Sequence, residues 1–138
     1  MIIQNNFHAA ALAALLAVSA STSAIAAGRP DATIIKNPQC GCCESYADYL
    51  RQNGFKVTVK ESHDLTLMKR DMGVPDGFEG CHTMVLDKYV VEGHVPVSAI
   101  DKLLAERPDV KGISLPGMPQ GSPGMSGAKE APFTVYQF

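Results

Sequence analysis

The sequence predicts an α/β domain of order βαβ, short α, ββα, closed by a Gly/Pro/Met-rich C-terminal arm. Three observations predict it. Short β-rich runs alternate with segments of helical period between residues 32 and 107. The 138 residues, 46% hydrophobic, allow one small domain and no more. From Ile113 to Gly127 the chain reads ISLPGMPQGSPGMSG, without period and rich in turn formers.

Each element has its own signal. Ala32 to Lys36 is a β-rich run stopped by Asn37-Pro38, so a strand feeds a loop. From about Cys42 to Asn53, Cys43, Tyr46, Ala47 and Leu50 recur at helical spacing, and Gly54 supplies the stop. Phe55, Val57 and Val59 alternate with Lys56, Thr58 and Lys60, which reads as a half-buried strand. Asp64 is placed to cap a short helix to about Asp71, with Leu65, Met68 and Met72 on one side, and Gly73 to Gly77 ends it. Thr83 to Asp87 and Tyr89 to Val91 form a hairpin. Pro96 opens a last helix with Ile100, Leu103 and Leu104 as its apolar stripe, ending near Arg107-Pro108. Ile113 to Gly127 is expected as a loop or arm. Thr134 to Phe138 reads equally as an edge strand or a frayed end.

Residues 1–27 stand apart. The first charged side chain is Arg29; Ala9 to Ala20 is an apolar run of secretory length, and Ala24-Ile25-Ala26-Ala27 fits a small-residue cleavage site. A signal peptide over 1–27 and a domain over 28–138 are expected, although the first eight residues carry no Lys or Arg. The run falls short of the roughly 20 residues that span a bilayer, so no membrane anchor is expected after cleavage. The working compartment is then the oxidising periplasm. With 12 Lys plus Arg against 14 Asp plus Glu, no cationic field invites nucleic acid or an anionic membrane.

Chemistry concentrates in the cysteines. Cys40, Cys42 and Cys43 lie between a strand and a helix, and Cys81 lies just before another strand. In this topology the loop after the first strand and the loop before the third share one end of the sheet, so Cys81 can approach the cluster. Cys40 and Cys43 form a C-x-x-C pair at a helix start, where the dipole favours thiolate over thiol. A thiolate serves both disulfide exchange and soft-metal binding. A third and fourth cysteine would trap mixed species in exchange but assist a metal site. Adjacent Cys42 and Cys43 diverge by about 100° on a helix, so one tetrahedral zinc suits them poorly. Several thiolate-bridged Cu(I) ions suit them better. Two structural disulfides are the bland alternative in an exported chain, but three of the four cysteines lie within four residues, so one bridge would close almost no loop.

His82 and His94 offer imidazoles beside the cluster or in a turn, and Met118 and Met125 offer thioethers in the arm; all four are second-rank metal ligands. The ordinary reading is a hydrogen-bonded histidine and a core-covering methionine. Met68, Met72 and Met84 fall on element faces and belong with the core.

The motifs Lys36-Asn37-Pro38-Gln39-Cys40-Gly41-Cys42-Cys43, Gly80-Cys81-His82-Thr83, Val91-Glu92-Gly93-His94-Val95-Pro96 and Leu115-Pro116-Gly117-Met118-Pro119 with Gly121-Ser122-Pro123-Gly124-Met125 resemble domain of unknown function family 411. That family includes CopG-type periplasmic copper-resistance proteins, and the likeness runs from about Ala32 onward. It implies a thioredoxin-like fold with Cys40 and Cys43 in the places of the redox pair. It implies also that His82-Thr83 stands where thioredoxins carry a cis-proline, setting Cys81 beside the pair. For function it implies copper bound at the cysteines, copper resistance and Cu(I)/Cu(II) redox cycling, with other periplasmic copper-handling proteins as partners.

Three functions follow in order. The first is an exported Cu(I)-binding protein using Cys40, Cys42, Cys43 and Cys81. The second is a thiol–disulfide oxidoreductase with Cys40 as nucleophile and Cys43 resolving. The third is a disulfide-stapled binding module without metal.

Overall fold

A computed structural model describes residues 28–138, and the expected signal peptide over 1–27 lies outside the described residues. Nine elements follow in order: β1 (Ala32–Lys36), α1 (Gly41–Gln52), β2 (Val57–Glu61), α2 (Leu65–Asp71), β3 (His82–Leu86), β4 (Tyr89–Gly93), α3 (Val97–Glu106), β5 (Gly112–Leu115) and β6 (Tyr136–Gln137). They build one sheet of order β2-β1-β3-β4-β5-β6. β1 runs parallel to β2 and β4 parallel to β5, while the β1–β3, β3–β4 and β5–β6 pairs are antiparallel. The expected βαβ, short α, ββα order is present.

Register explains the two faces. Val59, Ile34, Met84, Val91 and Ile113 stand opposite one another across five strands. Residues directly opposite share a face, so this row is a continuous apolar band. Tyr46, Ala47 and Leu50 of α1 and Ile100 and Leu103 of α3 join it in the core. In the adjacent row Ile35, Thr83, Glu92 and Ser114 are aligned, and the alternation of strands turns them to the other face. There Lys69 of α2 meets Thr83 and Glu92.

The helix ends differ in detail from expectation. α1 buries Cys43, Tyr46, Ala47 and Leu50 as its spacing predicts and stops at Gly54, whose φ of 84° suits glycine. Pro96 is the N-cap of α3 rather than its first helical residue. Asp64 occupies the N-cap of α2 but its side chain makes no capping bond. The one buried residue of α2 is Lys69, and Leu67 is exposed. The expected stripe of Leu65, Met68 and Met72 is therefore only half-buried, and of the three methionines assigned to the core only Met84 is fully enclosed. An ion pair on the polar row of the sheet anchors this helix in place of an apolar stripe.

The segment expected to be wholly loop begins with a strand. Gly112 to Leu115 is buried throughout and pairs with both β4 and β6. Four residues containing Gly and Ser carry too little alternation to show as a strand. Gly112 is required by packing, since a Cβ there would lie 1.9 Å from the Val90 carbonyl oxygen. β6 supplies the edge strand, two exposed residues long.

Candidate metal centre

The sulfur group sits where β1 ends, α1 begins and β3 starts. After Lys36 the chain turns through Asn37-Pro38: the Gln39 N–H donates to Asn37 Oδ1 at 3.0 Å and the Cys40 N–H to the Asn37 carbonyl at 3.0 Å. Lys36 is almost fully buried and secures this turn. Its ammonium donates to the carbonyls of Asn37 (3.4 Å) and Pro38 (3.3 Å) and pairs with Glu44 at 3.1 Å and Glu61 at 3.6 Å. A buried ammonium needs such partners to offset desolvation. The loop bearing Cys40 is thus clamped to α1 and β2.

Cys81 is seated from the opposite face. The Gly80 N–H donates to Glu92 Oε1 at 2.7 Å, Thr83 Oγ1 donates to Glu92 Oε2 at 2.8 Å, and Lys69 Nζ binds both Glu92 and, at 2.9 Å, Thr83. Glu92 is fully buried. The Gly80 backbone lies so close to Gly93 that a Cβ on Gly80 would come within 2.6 Å of the Gly93 Cα. A carboxylate beneath one side of the sheet thereby fixes a thiol on its rim.

Cys81 Sγ lies 3.4 Å from Cys43 Sγ and 3.9 Å from Cys42 Sγ, and Cys42 Sγ lies 3.6 Å from Cys40 Sγ. All four sulfurs fall within 4.8 Å of one another. Sulfurs 38 residues apart in sequence therefore share one pocket, as the sheet topology allows. Cys40 and Cys43 are joined by a disulfide, their Cα atoms 5.4 Å apart across the first turn of α1, while Cys42 and Cys81 are free and half-buried. In this state two of the four sulfurs are thiols.

Both histidines face the same pocket. His94 Nδ1 donates to the Pro123 carbonyl at 2.6 Å, which leaves Nε2 as an acceptor 3.0 Å from Cys81 Sγ. His82 Nδ1 lies 3.5 Å from the same sulfur, while its Nε2 is buried with no hydrogen-bond partner. Tyr46 packs against both rings, with centroids 4.7 Å and 5.2 Å away, and its hydroxyl donates to the Val95 carbonyl at 2.8 Å. Burial pushes the His82 pKa down to about 3, with His94 and Lys69 adding repulsion; burial also lowers that of His94. Both rings are therefore neutral, the form that ligates metal. Desolvation, reinforced by Cys42, pushes the Cys81 thiol up to about 12. A bound cation reverses that preference by stabilising the thiolate.

The arm closes over this group. Gly124, at φ 80°, lies against α1 so tightly that a Cβ would stand 2.6 Å from the Tyr46 nitrogen and 3.1 Å from the Cys42 carbonyl oxygen. Met125 follows it, partly buried; Met118 is 41% exposed farther back along the arm. The structure thus brings together the four cysteines, His82 and His94, and leaves Met118 partly exposed.

Sequence reasoning missed the support. Lys36, Lys69, Glu92 and the Pro123 carbonyl hold the pocket without belonging to any motif of metal ligands. Glu92 carried a usable signal, a lone carboxylate in the run Tyr89-Val90-Val91-Glu92-Gly93. A backbone carbonyl carries none.

A family profile described as "Protein of unknown function, DUF411" matches residues 78–125. Two solved structures, "Copper resistance protein copG- Form 2" and "Copper resistance protein copG- Form 1", are each 40% identical to this chain with a TM-score of 0.73. The match covers 79% of this chain and 88% and 87% of theirs. No curated protein matches.

Proposed function

This chain belongs to the family of the copper resistance protein CopG, and from that premise we propose that it is an exported protein that binds Cu(I) as a thiolate-bridged multinuclear cluster. Cys40, Cys42, Cys43 and Cys81 are its ligands, with His82, His94, Met118 and Met125 in second rank. The observation that carries the reading is the 3.4 Å approach of Cys81 Sγ to Cys43 Sγ. Four sulfurs within 4.8 Å lie close enough to share ions, and as thiolates they can bridge several soft ones. The Cys40–Cys43 disulfide must be reduced before all four can take part.

Redox activity belongs to the same reading. Two thiolates joining as a disulfide release two electrons, which reduce two Cu(II) to two Cu(I); a dithiol reductant of the exported compartment then returns the pair to thiols. Export rests on the apolar segment and small-residue cleavage site before Gly28, and among the described residues no helix is long and apolar enough to cross a membrane.

Anaerobic reduction followed by Cu(I) titration tests this. More than one Cu(I) per chain is expected, with the multinuclear stoichiometry lost in the Cys42→Ser/Cys81→Ser variant. The disulfide favours a second reading, thiol–disulfide exchange through Cys40 and Cys43. Fast reduction of a disulfide substrate without copper binding would establish that reading in its place.

A further inference from the structure

The Cys40–Cys43 disulfide has one sulfur at the rim and one inside, since Cys40 is half-buried and Cys43 fully enclosed. An outside thiol reaches the first. The second faces the free thiol of Cys81 at 3.4 Å, about 1.4 Å beyond a disulfide bond length, a gap that side-chain rotation closes. Cys81 also has a base. His94 Nε2 lies 3.0 Å from its sulfur as an acceptor, and the Pro123 carbonyl orients that ring by accepting from Nδ1 at 2.6 Å. Nucleophile, base and orienting group are thus joined by two contacts. Cys42, the other free thiol, lies 3.6 Å from Cys40 Sγ, but its hydrogen-bond neighbours among the described residues are sulfurs alone. On the leaving side, Cys40 is the N-cap of the 12-residue α1, where the helix dipole stabilises a departing thiolate.

We propose that the oxidised chain moves its own disulfide inward: Cys81 attacks Cys43, and the Cys40–Cys43 bond is exchanged for a Cys43–Cys81 bond. The Cys81 thiol proton passes to His94 Nε2, the new bond forms as the old one breaks, and Cys40 leaves as a thiolate that regains one proton through solvent. Burial makes the Cys81 proton hard to lose to solvent, so its transfer to His94 accompanies the attack. One disulfide and one thiol are consumed and one of each is produced, so no outside oxidant or reductant takes part. The product presents Cys40 and Cys42 together as thiols at the rim, a dithiol face for disulfide-bearing partners, while the chain as a whole stays oxidised. The step extends the thiol–disulfide reading above and rests on the disulfide, not on copper.

The test uses metal-free Cys42→Ser protein, oxidised to one disulfide and one thiol. It is incubated anaerobically with a slow thiol alkylator, digested in acid and mapped by mass spectrometry. Alkylated Cys40 together with a Cys43–Cys81 bond should accumulate, about a hundredfold more slowly in the added His94→Gln variant. The Cys40→Ser/Cys42→Ser protein, which keeps His94, should form the Cys43–Cys81 bond within one chain on mild oxidation. Because that bond links residues 38 apart, it should raise the urea midpoint over the reduced form. Alkylation at Cys81 alone, a Cys40–Cys81 bond, an undiminished rate in His94→Gln, or disulfide-linked dimers in place of the internal bond overturns the proposal. No arm contains copper or a second disulfide substrate, so Cu(I) binding by the reduced chain and exchange with an outside partner stand or fall separately.

Discussion

At the scale of single residues, the pocket is built by buried charges as much as by its ligands. Glu92 accepts from Gly80 and Thr83 and pairs with Lys69, all in the interior. Removing it strands an ammonium beneath the sheet, so Glu92→Ala should cost about 3–5 kcal/mol. The Lys69→Met/Glu92→Leu pair should cost far less, because it leaves no unpaired charge. Urea unfolding of the metal-free protein checks both values, and alkylation of Cys81 should accelerate in Glu92→Ala once Gly80 is released. The two histidines set a pH dependence of known sign. His82 titrates near 3 when folded and near 6.5 when unfolded, so between those values the unfolded chain holds the extra proton and stability falls as pH falls. His94 acts in the same direction. The urea midpoint of the metal-free protein should therefore decline from pH 7 to pH 4 more steeply in wild type than in a His82→Gln variant.

Among the elements, the arm is the one whose role is least visible from its composition. Gly124 combines a positive φ with contact against the first turn of α1. Gly124→Ala should destabilise by about 1–3 kcal/mol from the backbone conformation alone. It should also lift Pro123 from His94, seen as faster amide exchange in the first turn of α1 and a mobile His94 ring in NMR. β1, α1 and the β3–β4 hairpin were legible because their apolar residues recur at a helical or alternating period and each ends at a turn former. The sulfur pocket was legible too, since strand order alone brings Cys81 to the end of the sheet where α1 begins. β5 was not legible, because Gly112-Ile113-Ser114-Leu115 is defined by partners 22 residues back and 22 or more ahead rather than by its own pattern. The burial of Lys69 was equally hidden, for a lysine on a short helix reads as solvent-facing until Glu92 is placed beneath it.

For the whole molecule, the question is whether the fold survives opening of the Cys40–Cys43 disulfide. The Cys40–Cys43 bond spans three residues of sequence, so it closes little loop entropy and should contribute less than the roughly 3 kcal/mol of a 15-residue loop. The core of α1, α3 and the central strands contains no other covalent link among the described residues. Unfolding midpoints of the oxidised and reduced protein should consequently lie close together, as parallel urea titrations with and without a dithiol reductant would show. A large loss on reduction would mean that the cluster-competent state is poorly folded. Cys81 gives this arrangement its last consequence. Its sulfur borders the other cysteines on one side and the two imidazoles on the other. Any covalent change at that one atom is therefore felt at once by both sets of neighbours.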